Sequence, residues 1–132
     1  MDRILDRADT GPRYLGMPKI GQMVTDAILY RHHELKHYDL HAFVVMANHV
    51  HLMFTPLVDV TKLMHSLKRF TAREANSFLG STGQFWQRES YDRLVRDGTE
   101  FDRIKHYIEN NPVKAGLVNT PDAFLFSSAR RI

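Results

Sequence analysis

The stretch DLHAFVVMANHVHLMFT, residues 39–55, decides the fold. Its first part, residues 39–46, is rich in β-branched and aromatic side chains and predicts a strand. Residues 49–55 predict a second strand, which Pro56 ends because proline has no amide hydrogen for a strand hydrogen bond. Only two residues separate the runs, a length typical of a hairpin turn. We therefore predict an antiparallel pair of strands.

Helical patterns flank this hairpin. Apolar residues recur at helical spacing after Pro18 and predict a helix over residues 19–36. After the hairpin, Asp59 suits the cap of a long amphipathic helix that Gly80 ends. The pattern therefore predicts one helix before the strand pair and one after it along the chain.

The last third of the chain repeats this alternation. Residues 91–96 predict a short strand, and Thr99 suits the cap of a final helix. That helix breaks near Pro112, which lacks an amide donor. The order helix, strand, strand, helix, strand, helix predicts an α+β fold with an antiparallel sheet.

Composition narrows the class of protein. The chain has 132 residues, a length typical of a single domain, so we assign residues 1–132 to one. It has no cysteine, which excludes disulfide and thiolate chemistry and favours a cytoplasmic location. We find neither a signal peptide nor an apolar run long enough to cross a membrane, and expect no membrane partner. A formal charge of +3 is weak evidence for a nucleic-acid partner.

Two histidines lie two residues apart on the second predicted strand. Because strand side chains alternate between faces, His49 and His51 project from the same face and could bind one divalent cation. Val50, Leu52 and Phe54 then point to the opposite face, towards a core. The spacing alone favours two solvated histidines, since such pairs are common and unspecific.

The final helix contributes a second group. Tyr107 and Asn111 are four residues apart and share a helix face, with Arg103 one turn earlier. A tyrosine beside a metal site can act as a nucleophile. The alternative is that Tyr107 packs at the rim of the core and Asn111 merely ends the helix.

Basic side chains form a third group that could contact nucleic acid. The candidates are Lys68, Arg69 and Arg73 on the second long helix, and Arg88, Arg93, Arg96, Arg103 and Lys114 further along. Phe85, Trp86 and Tyr91 lie among them and could stack on unpaired bases. The alternative is a set of solvated helix faces with Trp86 in the core.

Three stretches also resemble a known family. FVVMANHVHLM at residues 43–53 resembles the histidine–hydrophobic–histidine (HUH) strand of single-tyrosine transposases. FWQRESYD at residues 85–92 and YIENNPVKAGLV at residues 107–118 resemble the REP-associated tyrosine transposases, which belong to the insertion-sequence transposases. The resemblance runs from about residue 4 to residue 128, and the three motifs occur in the family's order.

The resemblance implies a ferredoxin-like antiparallel sheet with helices on one face. It implies that His49, His51 and Asn111 bind Mg²⁺ or Mn²⁺ and that Tyr107 is the nucleophile. The expected activity is cleavage and rejoining of single-stranded DNA beside hairpins, through a 5′-phosphotyrosine intermediate. Two other functions stay open: a domesticated, non-catalytic hairpin-binding protein, and a metal-dependent hydrolase of small substrates.

One departure from the family pattern concerns the sheet. Family members usually begin with a strand ahead of the segment that matches residues 4–7, and this chain starts at that segment. An interior gap in the sheet would expose Val44, Leu52 and Phe54, which costs about 1.5–3 kcal/mol for each side chain. We therefore predict a homodimer that covers the gap.

Overall fold

The helices and strands alternate along the chain in the predicted order. The computed structural model describes residues 17–83, 85–86, 91–95 and 100–131. The elements are α1 (Pro18–His33), β1 (Tyr38–Val45), β2 (Val50–Pro56), α2 (Val60–Leu79), β3 (Tyr91–Val95), α3 (Phe101–Glu109), α4 (Asn111–Lys114), a 3-10 turn (Pro121–Ala123) and α5 (Ser128–Arg131). The expected cap at Thr99 lies outside the described residues.

Helix α2 begins and ends at the residues that the sequence indicates. The carboxylate of Asp59 accepts a hydrogen bond from the backbone amide of Lys62 at 2.9 Å. That bond satisfies one of the amides that a helix start leaves without a partner. At the other end Gly80 has φ 67°, in the left-handed region that glycine adopts without steric cost. Both predicted ends of this helix are confirmed.

The sheet has three strands in the order β1-β2-β3, so β2 is the central strand. β1 and β2 pair antiparallel, from Tyr38 opposite Pro56 to Val45 opposite Val50. The register shifts between Leu40 and Ala42, which makes His41 the extra residue of a bulge. The predicted α+β fold with an antiparallel strand pair is confirmed.

The third strand differs from the expected antiparallel arrangement. β3 pairs parallel with β2, with Val50 opposite Tyr91 and Phe54 opposite Val95. A parallel neighbour requires a crossover connection, and helix α2 lies within it. The sheet is therefore mixed, with β2 bonded on both sides.

Helices α1 and α2 cover one face of the sheet. The fully buried side chains on this side include Val50, Leu52 and Phe54 of β2, as the alternating pattern predicts. Trp86 belongs to the same core, and its ring nitrogen donates a hydrogen bond to the Thr71 hydroxyl at 2.9 Å. The structure thus gives Trp86 a packing role.

Helix α3 covers the opposite face, whereas the prediction placed the helices on one face only. Ile104 and Ile108 of this helix pack with Ala42, Val44 and Met53 of the sheet. The helix can bind here because both faces of β1 and β2 are apolar near their centres. This second layer positions the candidate site.

The expected gap in the sheet does not occur within the described residues. β3 pairs with the side of β2 that β1 leaves free, and Val44, Leu52 and Phe54 are fully buried because helices cover both faces of the sheet. The expectation that these side chains are exposed is therefore wrong. The homodimer inferred from it stays a prediction.

The free edge of β1 is covered by the last residues of the chain. The backbone amide of Val45 donates to the Phe126 carbonyl at 2.9 Å, and Val44 forms an isolated bridge with Ser127. The Ser128 hydroxyl donates to the Glu109 carboxylate at 2.5 Å and so ties the end of α3 to this edge.

No helix in the described ranges has the length and apolar character of a membrane-spanning segment.

Candidate active site

The two histidines lie on the face of β2 that helix α3 covers. His51 is on the strand and His49 immediately precedes it. Their exposed fractions are 1% and 3%, so both rings are removed from bulk water. The interpretation as two solvated strand histidines is therefore wrong.

The two imidazole rings converge. Nε2 of His49 and Nε2 of His51 are 3.1 Å apart, and the ring planes meet at 86° with centroids 4.7 Å apart. Adjacent ligands of an octahedral cation, each about 2.1 Å from the metal, lie about 3 Å from one another. The pair therefore has the separation of two neighbouring ligands of one divalent ion.

The residue before the pair orients the first ring. Oδ1 of Asn48 lies 3.2 Å from Nδ1 of His49, and the Asn48 side chain is buried. When Nδ1 carries the proton and donates it to this oxygen, Nε2 presents its lone pair to a ligand. The sequence reasoning did not assign a role to Asn48, although its position directly before the first histidine was a usable signal.

Helix α3 brings Tyr107 against the second histidine. The ring centroids of His51 and Tyr107 are 6.3 Å apart, with the ring planes at 73°. The ammonium of Lys114, in the short helix α4, lies 5.9 Å from the centre of the Tyr107 ring. This is within the range of a cation–π contact. Tyr107 is thus a neighbour of both His51 and Lys114.

Asn111 lies one helical turn beyond Tyr107. It is the first residue of α4 and only 4% exposed, and its Nδ2 has no hydrogen-bond partner among the described residues. Rotation of the amide by 180° exchanges nitrogen and oxygen, so either atom can occupy this position. An unpaired buried amide at such a place is available to a ligand.

The donor set differs from that of common zinc sites. In the described part of the chain no three histidine, cysteine or carboxylate side chains cluster. A third protein ligand would therefore be of another type, and the amide oxygen of Asn111 is the candidate that the sequence offers. Two imidazoles and one amide oxygen also leave coordination positions for water or a phosphate oxygen.

His41 is a third histidine on the same strand pair, but it is engaged elsewhere. Its Nε2 lies 2.8 Å from the Thr55 hydroxyl, and its ring meets Phe101 edge-on with centroids 4.9 Å apart. Burial lowers the pKa of His41, a shift that Asp39 opposes and that Lys105 and His32 reinforce. These contacts give His41 a structural role.

The predicted DNA-contacting residues lie on two sides of the sheet. Lys68, Arg69 and Arg73 are on α2, across the sheet from the two histidines. Arg103 is exposed and forms an ion pair with Glu100, and Lys114 contacts Tyr107. Arg88, Arg96 and the side chain of Arg93 lie outside the described residues.

A mixed three-stranded sheet thus carries His51 on its central strand, with His49 directly before that strand and Tyr107 from a following helix beside His51. The match of a family model gives the assignment. The model described as IS200-like transposase matches residues 20–111, a range that includes His49, His51 and Tyr107 and ends at Asn111. The chain belongs to the IS200-like transposase family, which links it to DNA transposition. No curated protein and no solved structure matches the chain.

Proposed function

We propose that this protein cleaves and rejoins single-stranded DNA beside hairpins, with Tyr107 as the nucleophile and Mg²⁺ or Mn²⁺ as the cofactor. The observation that carries the proposal is the convergence of the His49 and His51 Nε2 atoms, 3.1 Å apart, next to the Tyr107 ring. Membership in the IS200-like family supports the DNA substrate. The motif at residues 107–118 further favours the REP-associated subgroup.

Tyr107 carries out the covalent step as the nucleophile. Its phenolic oxygen bonds to phosphorus, and the bond between phosphorus and the 3′ oxygen breaks. The phenol gives up its proton to solvent, and the departing 3′ oxygen takes one up. The 5′ end is then held as a phosphotyrosine, and attack by another 3′ hydroxyl reverses the step. The bond energy is conserved in the intermediate, so rejoining needs no ATP.

The side chains around Tyr107 account for selectivity towards a phosphodiester. His49, His51 and Asn111 would hold the divalent cation, which supplies Lewis-acid polarisation of the phosphate when bound. Lys114 provides a positive charge next to the phenol ring and is exposed enough to reach a DNA phosphate.

The decisive experiment looks for the covalent intermediate. The purified chain is incubated with a single-stranded oligonucleotide that contains a hairpin, with Mn²⁺ or with EDTA, and is then resolved on a denaturing gel. We expect a labelled band of protein size that requires Mn²⁺, and a released fragment with a free 3′ hydroxyl. A fully double-stranded version of the oligonucleotide is the matched control.

Other outcomes would assign another function. Hairpin binding without any adduct would favour the domesticated, non-catalytic binding protein. Metal-dependent hydrolysis of small phosphoesters that survives Tyr107→Phe would favour a hydrolase. A cytoplasmic location is also part of the proposal, and fractionation of cells tests it.

A further inference from the structure

A groove runs along helix α2 on the face of the sheet opposite the candidate active site. It is open and has a volume of roughly 500 Å³. Helix α1 contributes Arg31 and helix α2 the rest of the wall. The residues that matter here are Arg31, Lys62, His65, Arg69, Phe70 and Arg73.

Arg31 is unusual because it is a buried cation. It is 6% exposed, and its Nε has no hydrogen-bond partner among the described residues. Its two other contacts are long, with Nη1 at 3.3 Å from the Ala27 carbonyl and Nη2 at 3.4 Å from the Ser66 hydroxyl. Within the described ranges no carboxylate forms an ion pair with it. A buried guanidinium without an anion is costly, so a ligand that supplies one would be stabilised here.

The rest of the groove adds positive charge. Lys62, Arg69 and Arg73 are exposed on one side of α2, and no carboxylate lines the groove within the described residues. The Phe70 ring contacts two guanidinium groups, with its centroid 5.3 Å from that of Arg31 and 5.6 Å from that of Arg73. These cation–π contacts hold both groups at the groove.

Nearby acidic groups do not neutralise this surface. Asp26 lines an adjoining groove, and its carboxylate accepts a hydrogen bond from the Gln22 amide at 2.7 Å. Glu74 lies 3.8 Å from Nε of Arg73, an exposed pair of small energetic worth. Arg31, Lys62, Arg69 and Arg73 can therefore all receive an anion.

We propose that this groove binds the phosphodiester backbone of DNA, with Arg31 as the anchor. The inference rests on the proposed DNA substrate and adds a second contact, on the helical layer behind the sheet. Planar guanidinium groups match phosphate oxygens through paired hydrogen bonds, which suits a groove that presents three arginines. The DNA would thus contact two opposite sides of the protein.

A polyanion in a concave groove fits better than a membrane surface. Peripheral membrane binding uses exposed apolar side chains beside the basic ones, whereas here the aromatic ring of Phe70 is only partly exposed and is in contact with two cations. The contact with backbone phosphates is independent of sequence, so it would add affinity for any DNA segment.

The test measures how DNA binding depends on salt. Fluorescence anisotropy gives the affinity of the full chain for a single-stranded oligonucleotide over a series of KCl concentrations. The binding constant K falls as salt rises, and each lost phosphate contact makes the slope of log K against log salt less steep by about 0.7 for single strands. We expect a loss of about 1.4 for Arg69→Gln/Arg73→Gln and none for Arg130→Gln, an exposed arginine of α5 that does not line the groove.

A second readout covers Arg31 itself, since its replacement could unfold the protein. In the unaltered chain, the NMR signal of the Arg31 Nε–H group should shift as oligonucleotide is added. An unchanged salt slope in the double variant, or an unmoved Arg31 signal, would overturn the proposal. The proposal would also be overturned if the double variant bound phosphatidylglycerol vesicles more weakly but bound DNA as well as the unaltered chain does.

The covalent adduct on the denaturing gel is scored separately. If the unaltered chain forms the adduct but the double variant has an unchanged salt slope, the proposed function stands and only the proposed DNA-binding groove is refuted. A chain without adduct whose slope falls as expected has a DNA-binding groove and no cleavage activity. The two proposals therefore fail independently.

Discussion

The side-chain oxygen of Asn48 lies 3.2 Å from Nδ1 of His49, the next residue in the chain. Both residues belong to the hairpin turn, which is closed by a hydrogen bond from the Met46 amide to the His49 carbonyl at 2.9 Å. A turn residue thus also orients a candidate metal ligand. This couples the geometry of the hairpin to that of the site.

Removal of the Asn48 amide should weaken metal binding while the fold persists. In Asn48→Ala the His49 ring loses the acceptor that fixes its Nδ1 proton, and we expect Mn²⁺ affinity to fall by about 10–100-fold. Isothermal titration calorimetry measures this. Asn119→Ala, at an exposed asparagine, is the matched control. Equal affinity in all three proteins would refute the orienting role.

Each histidine of the pair should be required for metal binding. We expect His49→Ala and His51→Ala each to lower Mn²⁺ affinity by more than about tenfold and to abolish the DNA adduct, because a ligand is lost. His41→Ala is the comparison, since His41 contacts Thr55 and Phe101 instead. A calorimetric result in which His41→Ala is the most damaging change would reassign the site.

Loss of the Tyr107 hydroxyl should separate cleavage from binding. In Tyr107→Phe the ring still packs against His51, but no oxygen is left to attack phosphorus. We expect cleavage to fall at least about a thousandfold with hairpin affinity within a factor of about two. Tyr30→Phe, at an exposed tyrosine of α1, is the control. An adduct that persists in Tyr107→Phe would point to another nucleophile, and Tyr91 would be tested next.

Asn111 should respond differently to two substitutions of similar size. Asn111→Asp keeps an oxygen ligand, but buries a carboxylate that needs a cation, so the metal-free protein should melt at a lower temperature. Mn²⁺ should then restore stability, by about 2.7 kcal/mol at one hundred times Kd. Asn111→Leu should lose the response to Mn²⁺. Thermal unfolding with and without Mn²⁺ tests this, and equal responses in the unaltered protein and Asn111→Leu would exclude Asn111 as a ligand.

Stability should decline in mildly acidic solution partly because of His41. Burial lowers the pKa of this ring in the folded protein, whereas the unfolded chain takes up the proton as the pH falls through about 6.5. The unfolded state therefore binds more protons below that pH, and the stability present at neutral pH is lost as the pH falls from there towards the lowered folded-state pKa. Chemical denaturation at several pH values should show a flatter pH dependence for His41→Gln. If stability fell equally with pH in the unaltered protein and in His41→Gln, the contribution of His41 would be refuted.

The sequence predicts the parts of the fold that local patterns encode. The faces of β2 follow from the alternation of His49, Val50 and His51, and the ends of α2 follow from Asp59 and Gly80. The parallel partner of β2 could not be predicted, because strand pairing across a helix depends on tertiary packing and leaves no local pattern. The same holds for the side of the sheet that α3 covers.

The candidate site divides in the same way. The shared face of the two histidines follows from strand geometry, whereas the approach of Tyr107 to His51 joins distant segments and was expected only from the family resemblance. Arg31 escaped prediction because helical periodicity does not reveal a buried arginine. The bulge at His41 was missed because the residues after it, 42–45, are buried on both faces and show no alternation from which a register shift could be inferred.

The central position of β2 has a consequence for the order in which the molecule assembles. Its contacts with β1 are local and can form within about 1–10 microseconds, whereas pairing with β3 must wait until the chain has passed through α2. During synthesis at about 5–20 residues per second, the histidine pair emerges seconds before Tyr107. A nascent chain therefore forms the strand of the histidine pair first, and Tyr107 joins that pair only when α3 packs on the sheet.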